Sequence, residues 1–131
     1  MKKFADVLQS GDWKAEKHVP TILAPETAKV DQAIEVTVHV GSDIPHPNTT
    51  EHHIRWIKLF FHPDNDKFTY ELADFQFTAH GEAVAGANAG SAHTEPKATV
   101  VVKLKSSGTL MAMSYCNIHG LWENSKRIEV Q

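Results

Sequence analysis

Residues 34–40 alternate without a break: Ile34, Val36, Val38 and Val40 are apolar, and Glu35, Thr37 and His39 between them are polar. A strand turns successive side chains to opposite faces, so this pattern predicts a half-buried strand with its valines on a core and His39 facing solvent. Less regular versions of the pattern predict strands over 54–61, 68–77 (interrupted near Ala73 and Asp74), 98–105, 109–116 and 127–130, with a weaker one over 19–23. The first residues read differently. Phe4, Val7 and Leu8 recur at helical spacing ahead of Gly11, which predicts one short amphipathic helix. About seven short strands separated by turn signals predict an all-β fold, an antiparallel sandwich.

Two connections stand out. Ser106-Ser107-Gly108 is a short polar link between two strand patterns and is predicted to be a hairpin turn. Residues 79–96 carry Gly81, Gly86 and Gly90 among alanines and polar residues. That stretch is too loose for a strand and too long for a simple turn, so it is predicted to be a surface excursion or a subunit contact. No repeat, linker or low-complexity segment divides the chain, which reads as a single domain over 1–131.

Length and charge narrow the chemistry. A chain of 131 residues can bury a sizeable core without disulfides or a structural metal, so a bound metal would be functional. Thirteen basic and 16 acidic residues give a formal charge of -3 with no block of one sign, which leaves no footprint for nucleic acid or an anionic membrane. No apolar run approaches the roughly 20 residues that span a bilayer. Met1-Lys2-Lys3 is followed by Asp6, Gln9 and Ser10 where an export signal would be apolar. One unpaired cysteine suits a reducing compartment, so the expected location is cytoplasmic.

That cysteine, Cys116, stands three residues before His119 in Ser114-Tyr115-Cys116-Asn117-Ile118-His119-Gly120. It shares strand parity with Leu110, Ala112 and Ser114, which predicts an inward-pointing sulfur at a strand end. A Cys-x2-His turn brings a thiolate and an imidazole close enough to hold one metal. His46 is clamped between Pro45 and Pro47, which lowers the entropy lost when its ring is held. His52 and His53 follow on a polar stretch and, as neighbours at a strand start, point to opposite faces. The spacing alone leaves the choice between them even. With His18 in Glu16-Lys17-His18-Val19-Pro20, the chain offers more nitrogen donors than a four-coordinate zinc site needs, and the surplus points to iron. Of the nine histidines, His39, His62, His80 and His93 read as surface or loop groups and are set aside.

These stretches, together with Gly11-Asp12-Trp13-Lys14, the run from Ile44 through His46, His52 and His53 to Trp56, Phe77-Thr78-Ala79-His80-Gly81-Glu82, Thr94-Glu95-Pro96 and the continuation of the cysteine motif through Leu121-Trp122-Glu123, closely resemble superoxide reductases of the one-iron, neelaredoxin form. The resemblance covers nearly the whole chain. It implies an immunoglobulin-like β fold and one iron ion in a square pyramid, with His18, His46, His52 and His119 equatorial and Cys116 axial. It thereby favours His52 over His53. It further implies that Lys17 attracts superoxide and orders water near the product, and that Glu16 closes on ferric iron as a sixth ligand after turnover. The two-iron relatives carry a four-cysteine rubredoxin-like segment that these residues lack, so the implied electron donor is external, a small redox protein such as rubredoxin. A homotetramer is implied as well.

Among rival readings, a blue-copper electron carrier also pairs a cysteine with a nearby histidine on a β-sandwich, but it needs only two histidines and a weak axial methionine. Met111 and Met113 precede Cys116, and no methionine follows His119. A structural zinc site or a metal-free binding module leaves the donor surplus unexplained. A cysteine-protease reading fails because a Cys-His pair within one tight turn leaves no room for a substrate carbonyl.

Overall fold

In the computed structural model, which describes residues 1–131, a four-residue helix α1 (Phe4–Val7) precedes eight strands. They are β1 (Thr21–Leu23), β2 (Thr27–Ala28), β3 (Ile34–His39), β4 (Ile54–Pro63), β5 (Tyr70–Gln76), β6 (Lys97–Val102), β7 (Gly108–Cys116) and β8 (Gly120–Val130). One sheet has the order β1-β3-β6 and the other β2-β8-β7-β4-β5. Every pairing is antiparallel except the two-residue parallel pair of β2 with β8. No helix is long and apolar enough to cross a membrane.

The alternation seen in the sequence is what builds the core. Val36 and Val38 of β3, Ile57 and Leu59 of β4 and Leu110 of β7 are fully buried between the sheets. Each such side chain contributes about 1.5–3 kcal/mol relative to exposure. His39, expected on the solvent side, is half-buried, and burial lowers its pKa. The helix exists, but it docks only at its end: Phe4 and Val7 are exposed, while Leu8 just beyond is half-buried.

The link Ser106-Ser107-Gly108 does not close a hairpin. β6 pairs with β3 in one sheet, whereas β7 pairs with β4 and β8 in the other, so the link is a crossover between layers. Its geometry follows from tertiary contacts: Ser107 accepts a backbone hydrogen bond from Asp64, and its hydroxyl accepts one from Val130 N–H. The true hairpin on this sheet joins β7 to β8 through Asn117, Ile118 and His119. Cys116 pairs with Gly120 across its base, and Gly120 has φ of 80°. Three-residue hairpins commonly need a left-handed residue there, which glycine supplies without strain.

Topology then gathers one end of the molecule. β4 and β7 run antiparallel with Ile54 opposite Cys116, so the residues just before β4 lie beside the β7–β8 hairpin. The stretch entering β1 is fastened to the same sheet. Ser114 Oγ donates to the carbonyl of His18, and Asn124 Nδ2 donates to that of Pro20.

Candidate metal centre

Three separate pieces of chain deliver four imidazoles to this end: His18 ahead of β1, His46 and His52 in the β3–β4 connection, and His119 in the hairpin, beside Cys116 at the end of β7. Ligating atoms of His18, His52, Cys116 and His119 all lie within 4.8 Å of one another. His119 Nδ1 is the meeting point, 3.1 Å from His18 Nε2, 3.2 Å from His52 Nε2 and 3.8 Å from Cys116 Sγ.

His46 completes a ring. Its centroid is 4.9 Å from that of His18 and 4.8 Å from that of His52, while His52–His119 and His18–His119 are 5.0 and 4.7 Å apart. Four nearly equal sides with a diagonal of 6.4 Å between His18 and His52 describe a near-square of imidazoles.

Neighbouring groups decide which nitrogen each ring offers. His18 Nδ1–H donates to Glu16 Oε1 at 2.6 Å, and His46 Nδ1–H donates to the carbonyl of Pro47 at 2.6 Å. Both rings therefore hold their proton on Nδ1 and present a bare Nε2 lone pair, the arrangement that outer partners impose on metal-binding histidines. His46 Nε2 is buried with no hydrogen-bond partner at all, a costly state for a polar atom unless something else satisfies it. A shared cation would do so, and four imidazoles with one sulfur exceed what a closed tetrahedral zinc site takes. The donor set fits a metal of higher coordination number.

Burial keeps these rings in the form a metal requires. Desolvation lowers the pKa of His46 to about 4 and lowers those of His18 and His52, with the charge of Lys17 contributing in each case. For His18 the Glu16 carboxylate pulls the other way, and burial outweighs it. Glu16 itself is held below the usual carboxylate range, chiefly by its hydrogen bond with His18. Its Oε1 also accepts from the backbone N–H of His18 at 3.0 Å, so this carboxylate holds both the ring and the main chain of His18. Lys17 is half-buried and enters no ion pair.

His53 is elsewhere. Its buried ring stacks on His80 at 3.5 Å and 10°, and its Nδ1–H donates to the carbonyl of Thr49. His80, set aside above as a loop group, is thus a buried structural partner, with His93 bridging to it across the backbone. The loop it begins is braced rather than loose: Thr50 Oγ1 donates to the carbonyl of His80, and Asn88 bonds Thr50 and Glu51.

Three further residues shape the site. Trp122 lies flat against His18 at 4.8 Å and 15°, and its indole N–H donates to the carbonyl of His119. Ser114 is fully buried on an inward strand position, where a polar side chain signals a specific partner. Gly41 has φ of 92°, and a Cβ there would meet His46 N at 2.8 Å.

The desulfoferrodoxin family profile matches residues 10–125. The chain belongs to the desulfoferrodoxin family. It is 52% identical to superoxide reductase of Pyrococcus furiosus over 125 residues, 95% of this chain and 98% of that one. It is 50% identical to neelaredoxin of Megalodesulfovibrio gigas over 129 residues, 98% and 99% of the two chains. The crystal structure of a Thermotoga maritima relative, 56% identical, superposes with a TM-score of 0.97 over 100% of this chain and 99% of the other. Within the desulfoferrodoxin family the chain is a superoxide reductase of the single-domain neelaredoxin type, and its His/Cys cluster is of the kind typical of that family's iron centre.

Proposed function

We propose that the cluster holds one iron ion through His18, His46, His52, His119 and Cys116, and that the chain there reduces superoxide to hydrogen peroxide. The observation that carries this reading is the gathering of His18, His52, His119 and Cys116 donor atoms within 4.8 Å of one another, with the His46 ring closing the square and its Nε2 buried without a partner. When bound, the iron supplies the transferable electron and an anion-binding position. One electron and two protons convert each superoxide to hydrogen peroxide, with the protons drawn from water and the electron replaced by an external donor such as rubredoxin.

The chain's own residues prepare that step. Four imidazole ligands and one thiolate would leave a bound ferrous ion with net positive charge, which would favour a small anion. Lys17, whose charge is felt by Glu16, His18, His46 and His52, adds an unpaired ammonium beside the cluster and draws the anion in. Glu16 anchors His18 through its Nδ1–H and its backbone N–H. Were Glu16 to bind ferric iron as well, its Oε2, which has no partner here, would be the free oxygen, and the His18 contacts through Oε1 would have to shift with the loop.

The surface and the thiol support a homotetrameric assembly and a cytoplasmic location. Trp56, Phe60, Met111, Met113 and Tyr115 are half-buried on the outer face of β4 and β7, a broad apolar surface suited to contact between copies in a homotetramer. A single unpaired cysteine at the site suits the reducing cytoplasm.

The deciding experiment supplies superoxide with and without an electron donor. Donor consumption of one electron per superoxide, peroxide as product and no oxygen are expected. Sustained donor-independent turnover that releases oxygen would make the centre a dismutase and overturn the reading.

A further inference from the structure

His52 sits in a short turn that closes on itself. Its backbone N–H donates to Thr49 Oγ1, and its carbonyl accepts from Thr49 N–H. Both main-chain groups of His52 are therefore consumed inside residues 49–52. Nothing in that turn sets where it stands relative to Cys116 and His119. The neighbouring ladder sets it only loosely, because β4 carries a bulge at this end: Ile54 faces Cys116, but Trp56 faces Tyr115, leaving Arg55 as the extra residue.

Asn117 supplies the missing rungs. Its Oδ1 accepts from the backbone N–H of His53 at 2.9 Å, its Nδ2 donates to the carbonyl of Glu51 at 2.9 Å, and its own N–H donates to the carbonyl of His53 at 3.2 Å. One planar amide thus grips the residues on both sides of His52, from a position inside the hairpin between Cys116 and His119. We infer that Asn117 is a positioning residue that locks the imidazole of His52 to the Cys116–His119 turn, fixing the separation of three metal donors. The role demands an acceptor and a donor on one short side chain, which aspartate and leucine cannot both provide. This inference rests on the metal-centre reading above.

Asn88 provides the control. It bonds Thr50 through its Oδ1 and its own N–H, and it bonds the Glu51 carboxylate, so it braces the same loop from outside without touching the hairpin. Its φ of 62° makes Asn88→Gly the clean deletion.

The experiment loads wild type, Asn117→Asp, Asn117→Leu and Asn88→Gly with iron. It measures release of iron to a chelator, the wavelength of the visible thiolate band and the midpoint potential. Metal-free melting temperatures are recorded alongside. Asn117→Leu is expected to release iron about tenfold to a hundredfold faster, the usual cost of losing an outer-shell partner, with a displaced band and a shifted potential. Asn117→Asp keeps the acceptor and should fall between. Asn88→Gly should lower the metal-free melting temperature while leaving band, potential and release as in wild type. If the leucine variant does not fold, the aspartate variant decides on the same readouts. Asn117 variants indistinguishable from iron-loaded wild type, or an equal displacement in Asn88→Gly, would overturn this inference alone. A wild type that takes up no iron would overturn the metal-centre reading and this inference with it.

Discussion

His52 and His53 share one short piece of backbone, yet one ring joins the square of imidazoles and the other stacks on His80. Removing them should therefore have different consequences. His52→Ala is expected to lose iron with little change in metal-free stability, since the one hydrogen-bond contact of His52 Nε2 is with the His119 ring. His53→Ala is expected to keep its iron but lose about 1–3 kcal/mol of stability, because it deletes a buried ring and strands the Thr49 carbonyl. Iron per chain and urea midpoints for both variants test this, and equal iron loss would mean that both rings serve the metal. Lys17→Ala probes the charge beside the cluster. Capture of superoxide should slow while iron content and the visible band stay intact, and rising salt should bring the wild-type rate down toward the mutant's, because the Debye length is only about 8 Å at physiological ionic strength. Rapid-mixing rates across a salt series decide it: identical slopes would show that Lys17 takes no part in steering.

At the scale of elements, the β3–β4 connection carries two of the rings and depends on a close approach at its start. Gly41→Ala adds a Cβ 2.8 Å from His46 N on a backbone with φ of 92°. The strain, about 1–3 kcal/mol, should push the His46 segment away from His18. Weaker iron retention with an unchanged thiolate band is expected, since the Cys116–His119 turn is untouched. Full iron retention on titration with a chelator would show that the loop yields without moving His46. Much of this architecture was legible beforehand because it is local. The valines of β3, the inward parity of Cys116 and the proline clamp on His46 are patterns of adjacent residues. The misread link at Ser106-Ser107-Gly108 shows the limit: turn chemistry says that the chain bends, but not which sheet it bends into, and here Asp64 and Val130 decide that from afar. His80 was passed over for the same reason. Its partner His53 is 27 positions earlier, and no spacing along the chain signals a stacked pair. The choice of His52 over His53 was even on spacing and leaned on the likeness to known reductases, since local pattern places both near the site without orienting either.

For the whole molecule, the imidazole square makes acid a direct threat to the fold. His46 titrates at about 4 inside the protein against about 6.5 in an unfolded chain, and His18, His52 and His80 are lowered too, each mainly by desolvation. Below the unfolded value the unfolded chain takes up protons that the folded chain refuses, so stability falls as pH drops from about 6.5 toward about 4 and is level above that window. The lowered carboxylates, Glu16, Glu51, Glu82 and Glu129 among them, add stability that is lost only as pH falls through the carboxylate range. Between pH 7 and 5 the histidines therefore set the slope. The urea midpoint of the metal-free protein should be constant from pH 8 to 7 and fall steadily from pH 7 to 5. Iron should raise the midpoint at pH 7, and that advantage should shrink on acidification, because metal and proton compete for the same nitrogens. A metal-free midpoint that stays flat to pH 5 would mean that the rings protonate freely within the fold and that the site is not held neutral by burial.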